Sequence, residues 1–232
     1  EVDPEYVDAI YHKLSTLMKM DEFDKVVSTS TESLHKNSSK MKDEDIVDFL
    51  QMKRDALFEL NRLDDALGCS NEVLKINRSS HNVVWEGWVL NELDRMDEAK
   101  NRYDEAIKIS PDIEEGYRYM GWILMDEKKW TKAIEYLKKA CDKTTENVDE
   151  EDLVEFNRAK KRLNHTRLYE GRALKLLGLE QSDIAAMTEK MKEAETIFDS
   201  ILDARELSDV TDWVAGEAMM EKGNCNWNLK KH

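Results

Sequence analysis

Residues 83–111, Val83-Val84-Trp85-Glu86-Gly87-Trp88-Val89-Leu90-Asn91-Glu92-Leu93-Asp94-Arg95-Met96-Asp97-Glu98-Ala99-Lys100-Asn101-Arg102-Tyr103-Asp104-Glu105-Ala106-Ile107-Lys108-Ile109-Ser110-Pro111, decide the fold. Between Val83 and Leu93 apolar residues recur at three- and four-residue steps, the spacing of one helix face. Asp94-Arg95 interrupts that pattern. A second amphipathic run goes from Met96 to Ile109 and stops at Ser110-Pro111, where proline lacks the N–H that would continue a helix. Gly87 lets the two helices approach closely, and Ala99 and Ala106, seven apart, put two small side chains on one face. One such hairpin cannot bury its apolar stripe, so copies must stack.

Copies are present. Shifted by 33, Glu59-Leu60-Asn61-Arg62-Leu63-Asp64-Asp65-Ala66 falls on Glu92-Leu93-Asp94-Arg95-Met96-Asp97-Glu98-Ala99. Shifted by 34, Gly87, Trp88, Leu90, Ala99 and Ala106 fall on Gly121, Trp122, Leu124, Ala133 and Ala140. A shift of 40 brings Asp24, Glu32 and Leu34 onto Asp64, Glu72 and Leu74, with the surplus in the polar stretch from Asn37 to Asp45. Composition agrees with an all-helical chain. Eight glycines and two prolines in 232 residues are too few for the turns a sheet-rich domain needs. No apolar run approaches the ~18 residues of a membrane span.

These residues resemble the tetratricopeptide repeat (TPR) family, whose unit has a large then a small residue in its first helix, two alanines seven apart in its second, and a closing proline. Val83, Gly87, Tyr103 and Pro111 make the best copy; Met120-Gly121, Trp130, Ala133, Leu137 and Ala140 make the next. The resemblance runs from about Ile46 to Thr144 and, more loosely, from Tyr6 to Lys36, where Val26 and Ser33 replace the alanines and Lys13-Leu14 the large-small pair. It implies an all-α, right-handed α-solenoid of stacked antiparallel helix pairs, a TPR-like superhelix of about eleven helices. On this reading residues 1–145 form four helix pairs and 146–206 a fifth, elongated pair. Residues 207–232 form a C-terminal capping helix or half repeat, all in one continuous solenoid.

Beyond Thr145 the pattern changes. Asp149-Glu150-Glu151-Asp152 suits a helix start, because carboxylates stabilise the positive N-terminal end. A long helix to about Leu177 then contains Gly171, Leu174 and Gly178, and a second from Ser182 to Arg205 carries Ala194, Phe198 and Ile201 where the repeat's closing face belongs. The last helix, Asp209 to Leu229, holds Trp213, Met219, Gly223 and Trp227. Two tryptophans are costly on a solvent-facing cap and favour a half repeat.

Motifs for catalysis are missing. No glycine pattern cradles phosphate or forms a nucleophile elbow, and the five histidines make no HxxxH or HExxH pair. Glu32 and His35 have the spacing of one di-iron ligand pair, but a di-iron site needs two such pairs and further glutamates. Acidic runs lack the glycine-containing loop of a calcium site. We therefore expect no catalytic, cofactor-binding or metal-binding residues, no cofactor, and no enzymatic activity. Cys69, Cys141 and Cys225 are odd in number and without CxxC spacing, which favours a reducing, cytoplasmic location. The chain begins at Glu1 without methionine, so a removed export signal remains an alternative. A net charge of −15 argues against nucleic acid and anionic lipid, whose binding depends on neutralising phosphate.

Function is then expected on the surface. The resemblance places first-helix residues along a concave groove: Tyr11, Ser15 and Met18; Gln51, Asp55 and Phe58; Val84, Trp88 and Asn91; Arg118, Trp122 and Met125; Leu168, Arg172 and Lys175. The partner-binding residues expected are Val84, Trp88, Asn91, Arg118, Trp122, Met125, Arg172 and Lys175. As interface anchors Trp88 and Trp122 would each carry roughly 2 kcal/mol or more; otherwise they pack inside their own hairpins or are covered by a terminal helix. Asp48, Asp55 and Glu59 make the first half of the groove acidic, and Arg118, His165, Arg172 and Lys175 make the second half basic. Arg158, Arg162, His165 and Arg172 share a stripe that is either a solvated face neutralising acidic turns or a site for an acidic segment. The expected partner is another protein or a peptide segment carrying aromatic and acidic residues, with no membrane insertion. TPR proteins that hold heat-shock chaperone C-termini use a lysine-asparagine pair on one first helix. The positions here read Tyr11-Ser15, Gln51-Asp55, Val84-Trp88, Arg118-Trp122 or Leu168-Arg172, so that partner is not expected. The leading reading is a non-catalytic interaction scaffold. The alternatives are a sensor whose C-terminal helices fill the groove until displaced, or a non-catalytic part of a larger enzyme or secretion machine.

Overall fold

Each apolar run becomes a helix. The structure, a computed structural model, describes residues 4–146, 153–206 and 212–230, and among them are eleven α-helices, one 3-10 turn (Ser38–Lys40) and no strand. Two units divide the chain. Glu1–Ile109 contains α1 (Pro4–Lys19), α2 (Phe23–Asn37), α3 (Asp43–Glu59), α4 (Leu63–Ile76), α5 (Ser80–Glu92) and α6 (Met96–Ile109). Ser110–His232 contains α7 (Glu114–Asp126), α8 (Trp130–Glu146), α9 (Leu153–Leu179), α10 (Ile184–Glu206) and α11 (Asp212–Leu229). Within each unit every helix packs chiefly on its neighbours in sequence, the pattern of stacked antiparallel hairpins.

The turns inside the first four pairs have one construction. Asp21, Asn61, Asp94 and Lys128 adopt left-handed backbone, with φ of 57°, 57°, 59° and 59°. The next residue donates its N–H five positions back: Glu22 to Leu17 O, Arg62 to Leu57 O, Arg95 to Leu90 O and Lys129 to Leu124 O, at 3.0, 2.8, 2.9 and 2.8 Å. That bond is the signature of a Schellman end, which satisfies the last carbonyls of the first helix and reverses the chain. The left-handed residues are spaced by the same 40, 33 and 34 positions as the sequence repeat.

The glycines set the spacing between paired helices. A Cβ on Gly87 would meet the Tyr103 ring at 2.6 Å, one on Gly121 the Leu137 side chain at 2.7 Å, and one on Gly171 the Phe198 ring at 2.5 Å. Ala99, Ala106, Ala133, Ala140 and Ala194 are fully buried beside those large residues. Cores follow: Val7, Leu14, Val26, Phe49 and Ala56, then Leu57, Ala66, Cys69 and Val89 in the first unit. In the second, Leu168, Met191, Phe198, Ile201, Ala218 and Cys225 lie in one cluster that joins α9, α10 and α11.

Two helix starts move from where periodicity puts them. The helix expected from Val83 begins at Ser80, because Ser79 accepts the Asn82 N–H at 3.3 Å as an N-cap. The helix expected from Ser182 begins at Ile184, because Asp183 accepts the Ala186 N–H at 3.0 Å. The acidic turn Asp149–Asp152 and the expected start of the last helix at Asp209 lie outside the described residues.

Candidate protein-binding faces

In the first unit, α3 and α5 bring an aromatic series together. Phe58 and Trp88 have ring centroids 4.7 Å apart, Trp88 and Trp85 another 4.7 Å, and the Arg54 guanidinium sits 4.2 Å from the Trp85 ring. Arg54 is 3% exposed and pairs with Asp55 at 2.7 Å; at the far end, Trp85 donates its indole N–H to His81 at 3.0 Å. Burial pushes the Asp55 carboxyl up, with Arg54 opposing it. Gln51 donates to the Asn82 side chain at 2.8 Å, tying α3 to α5. Arg54 stands 33 residues before Gly87, at the repeat's glycine position.

Of the expected residues here, Trp88 is half-buried within this series and Val84 is buried, so Val84 shapes the face more than it presents surface. Asn91, one turn on, is half-buried, and its side-chain oxygen has no hydrogen-bond partner.

In the second unit, α7, α9 and α11 assemble a second cluster. Trp122 meets Tyr119 (5.1 Å between centroids), Tyr169 (5.0 Å) and His165 (5.6 Å), and His165 in turn meets Trp213 of α11 at 5.6 Å. The Arg118 guanidinium lies 4.9 Å from the Tyr119 ring and 5.5 Å from the Trp122 ring, and Arg172 lies 5.7 Å from Tyr169. Burial lowers the His165 pKa, and the Arg118 and Arg172 charges lower it further. Met125 packs against the unit's core. The Trp122 indole N–H is buried with no hydrogen-bond partner.

The basic residues of this face already hold carboxylates. Arg118 and Arg162 flank buried Glu114 at 3.3 and 3.1 Å. Burial raises the Glu114 pKa against both arginines. Arg172 pairs with Glu217 and, at 3.1 Å, with Glu221; Lys175 also pairs with Glu221. Burial pushes Glu221 up, but these two cations outweigh it and hold the carboxyl below its usual range.

Sequence reasoning missed Trp85, Tyr119 and Tyr169. The signal was there, since each stands two residues before Gly87, Gly121 or Gly171. Glu32, from the lone ExxH, pairs with Lys36 at 2.5 Å instead. Among the described residues no cluster of three or more His, Cys, Asp or Glu side chains is placed to hold a metal ion. Cys69, Cys141 and Cys225 are buried thiols, with burial pushing Cys141 up to about 12 and Cys225 to about 11.

Residues 84–113 match the sequence profile of the tetratricopeptide repeat. The match covers a single repeat of the chain. Similar solved structures agree on the fold. A tetratricopeptide repeat protein from Parabacteroides merdae aligns over 98% of this chain and 78% of its own, with a TM-score of 0.64 at 14% identity. MamA (residues 41 to end) from Desulfovibrio magneticus RS-1 aligns over 88% and 97%, with a TM-score of 0.57 at 15% identity. YrrB, described as a TPR protein with an unusual peptide-binding site, aligns over 85% and 90%, with a TM-score of 0.52 at 13% identity. No curated protein matches the sequence.

Proposed function

We propose that this chain is a non-catalytic interaction scaffold that binds a segment of another protein on the first-helix faces of its hairpins. The observation that carries the reading is the Phe58–Trp88–Trp85 series over Arg54, contributed by two successive first helices. Clustered aromatics beside an arginine are the composition of interface hot spots, and a half-buried tryptophan gains by completing its burial against a partner. The segment is aromatic where it meets Trp88. Nucleic acid is a poor candidate because the chain carries −15. Among the described residues no helix is long and apolar enough to cross a membrane. Three buried, unpaired thiols suit the cytoplasm.

A second reading has its own support. Arg172 and Lys175, expected to receive acidic groups, are held by Glu217 and Glu221 of α11. A sensor whose last helix occupies the basic positions until an acidic segment displaces it would have this arrangement. One experiment addresses both readings: arrays of aromatic, acidic and aromatic-acidic peptides are titrated against the chain and Trp88→Ala, with hydrogen exchange followed over α11. Aromatic peptides that lose at least tenfold in affinity with Trp88→Ala support the scaffold, and equal binding by both proteins overturns the Trp88 site. Exchange in α11 that rises on acidic-peptide binding supports displacement; unchanged exchange overturns it.

A further inference from the structure

Two carboxylates of this chain are each held by two cations. Glu114 lies between Arg118 and Arg162 at 3.3 and 3.1 Å, with Arg118 beside the Trp122 ring and Arg162 arriving from the next first helix, α9. Glu221 of α11 takes both Arg172 and Lys175. Asp55 of α3 has only one cation. Arg54 Nε and Nη2 both bond its Oδ1, at 2.8 and 2.7 Å, and among the described residues no donor reaches Oδ2. The pair is incomplete on its other side too, because Arg54 Nη1 is buried without an acceptor. Arg54 keeps 3% of its side-chain surface exposed and Asp55 34%, so the carboxylate is the half that a partner can reach.

The next first helix does not supply the missing cation. α5, which packs its Trp88 on Phe58 of α3, runs from Ser80 to Glu92 without lysine or arginine. Its His81 accepts the Trp85 indole N–H on Nε2, so that nitrogen carries no proton. Lys53, the other cation of α3, acts on Cys69 of α4. Seven residues before Asp55, on the same face of α3, Asp48 is exposed and pairs with no cation among the described residues. Partial desolvation and the charges of Asp45 and Glu44 push its carboxyl up.

The face already holds one guanidinium. Arg54 lies 4.2 Å from the Trp85 ring while its N–H groups bond Asp55, a combination of flat indole and carboxylate that suits arginine better than lysine. Trp88 continues the aromatic series, its ring centroid 4.7 Å from that of Trp85. An acidic segment would meet Asp48 and Asp55, and a net charge of −15 favours the approach of a basic one. Building on the scaffold reading of the Trp88 face, we propose that the segment bound there is basic as well as aromatic. An arginine of the partner bonds the open oxygen of Asp55, completing a two-guanidinium site like that of Glu114.

Calorimetric titration of the 232-residue chain tests this with capped peptides of one length that pair tryptophan with arginine, glutamine or glutamate. The arginine peptide is expected to bind about tenfold tighter than the glutamine peptide, and the glutamate peptide weakest. Asp55→Asn is expected to abolish that preference and leave the glutamine peptide unchanged. Because this change also strips buried Arg54 of its carboxylate, circular dichroism checks the fold, and Asp48→Asn, at an exposed position, is the second variant. Its expected loss for the arginine peptide is about threefold. Asp104→Asn, the same charge change on the exposed surface of α6, leaves all three affinities unchanged. Arginine and glutamine peptides that bind the wild type alike overturn the proposal. So does an arginine preference that survives both Asp48→Asn and a folded Asp55→Asn. A loss with Asp104→Asn equal to that with Asp48→Asn overturns it too, because it marks attraction to net charge alone. Trp88→Ala separates the two readings. If it weakens the glutamine peptide while the wild type shows no arginine preference, the face stands and only its charge is overturned. Unchanged binding of all three peptides overturns the face itself, and the arginine site with it.

Discussion

Gly68 and Gly121 are both helical, and the difference between them is what their missing Cβ would meet. At Gly68 nothing lies within 4 Å, so Gly68→Ala only removes the backbone entropy that glycine costs a helix; chemical denaturation is expected to show a gain of about 1 kcal/mol. At Gly121 the same change drives a Cβ to 2.7 Å from Leu137, which is fully buried and cannot retreat; a net loss of about 1–3 kcal/mol is expected. The left-handed turn residues differ in the same local way. Asp21, Asn61 and Asp94 have short polar side chains that tolerate φ near 60°, whereas Lys128 bears the steric cost without that compensation. Lys128→Gly is therefore expected to raise stability by up to about 1 kcal/mol in the same assay.

Among the helices, α9 carries the most consequence, because it supports α11 through charge and through His165. Glu221→Gln leaves Arg172 with Glu217 alone and Lys175 without its carboxylate; partly buried pairs broken on one side cost about 2–3 kcal/mol. Amide exchange in α11 is expected to speed up more than in α3 or α5. His165, enclosed by Trp122, Tyr169 and Trp213, holds a proton less well in the folded chain than in the unfolded one. The unfolded state therefore gains protons first as pH falls. The stability this group supports is complete above about pH 6.5 and is lost on acidification below it. Melting temperatures from pH 7.5 to 5.0 are expected to fall more steeply for the wild type than for His165→Gln, and parallel curves would refute the assignment.

Within each unit, each hairpin leans on the next, so stability is graded and not uniform. α1 has a partner on one side only, and its amides are expected to exchange first while those of α5 and α8 persist. How much of this was legible follows from distance along the chain. Helix class, the turns and the glycine–large contacts are local or repeat at a fixed interval, so Gly87, Ala99 and Ala106 announce them unaided. The ends of α5 and α10 slipped because single capping bonds, not periodicity, fix where a helix begins. At the candidate faces, Trp88 and Trp122 could be read from the repeat, but their surroundings could not. That Trp88 lies between Phe58 and Trp85, or that Arg172 and Lys175 spend their charge on Glu217 and Glu221, depends on residues up to 49 positions apart being folded together. Sequence alone determined the repeating hairpin, since short-range sterics and burial fix it. Only the tertiary structure decided which side chains remain for a partner, since desolvation and pairing act through space and are blind to order in the chain.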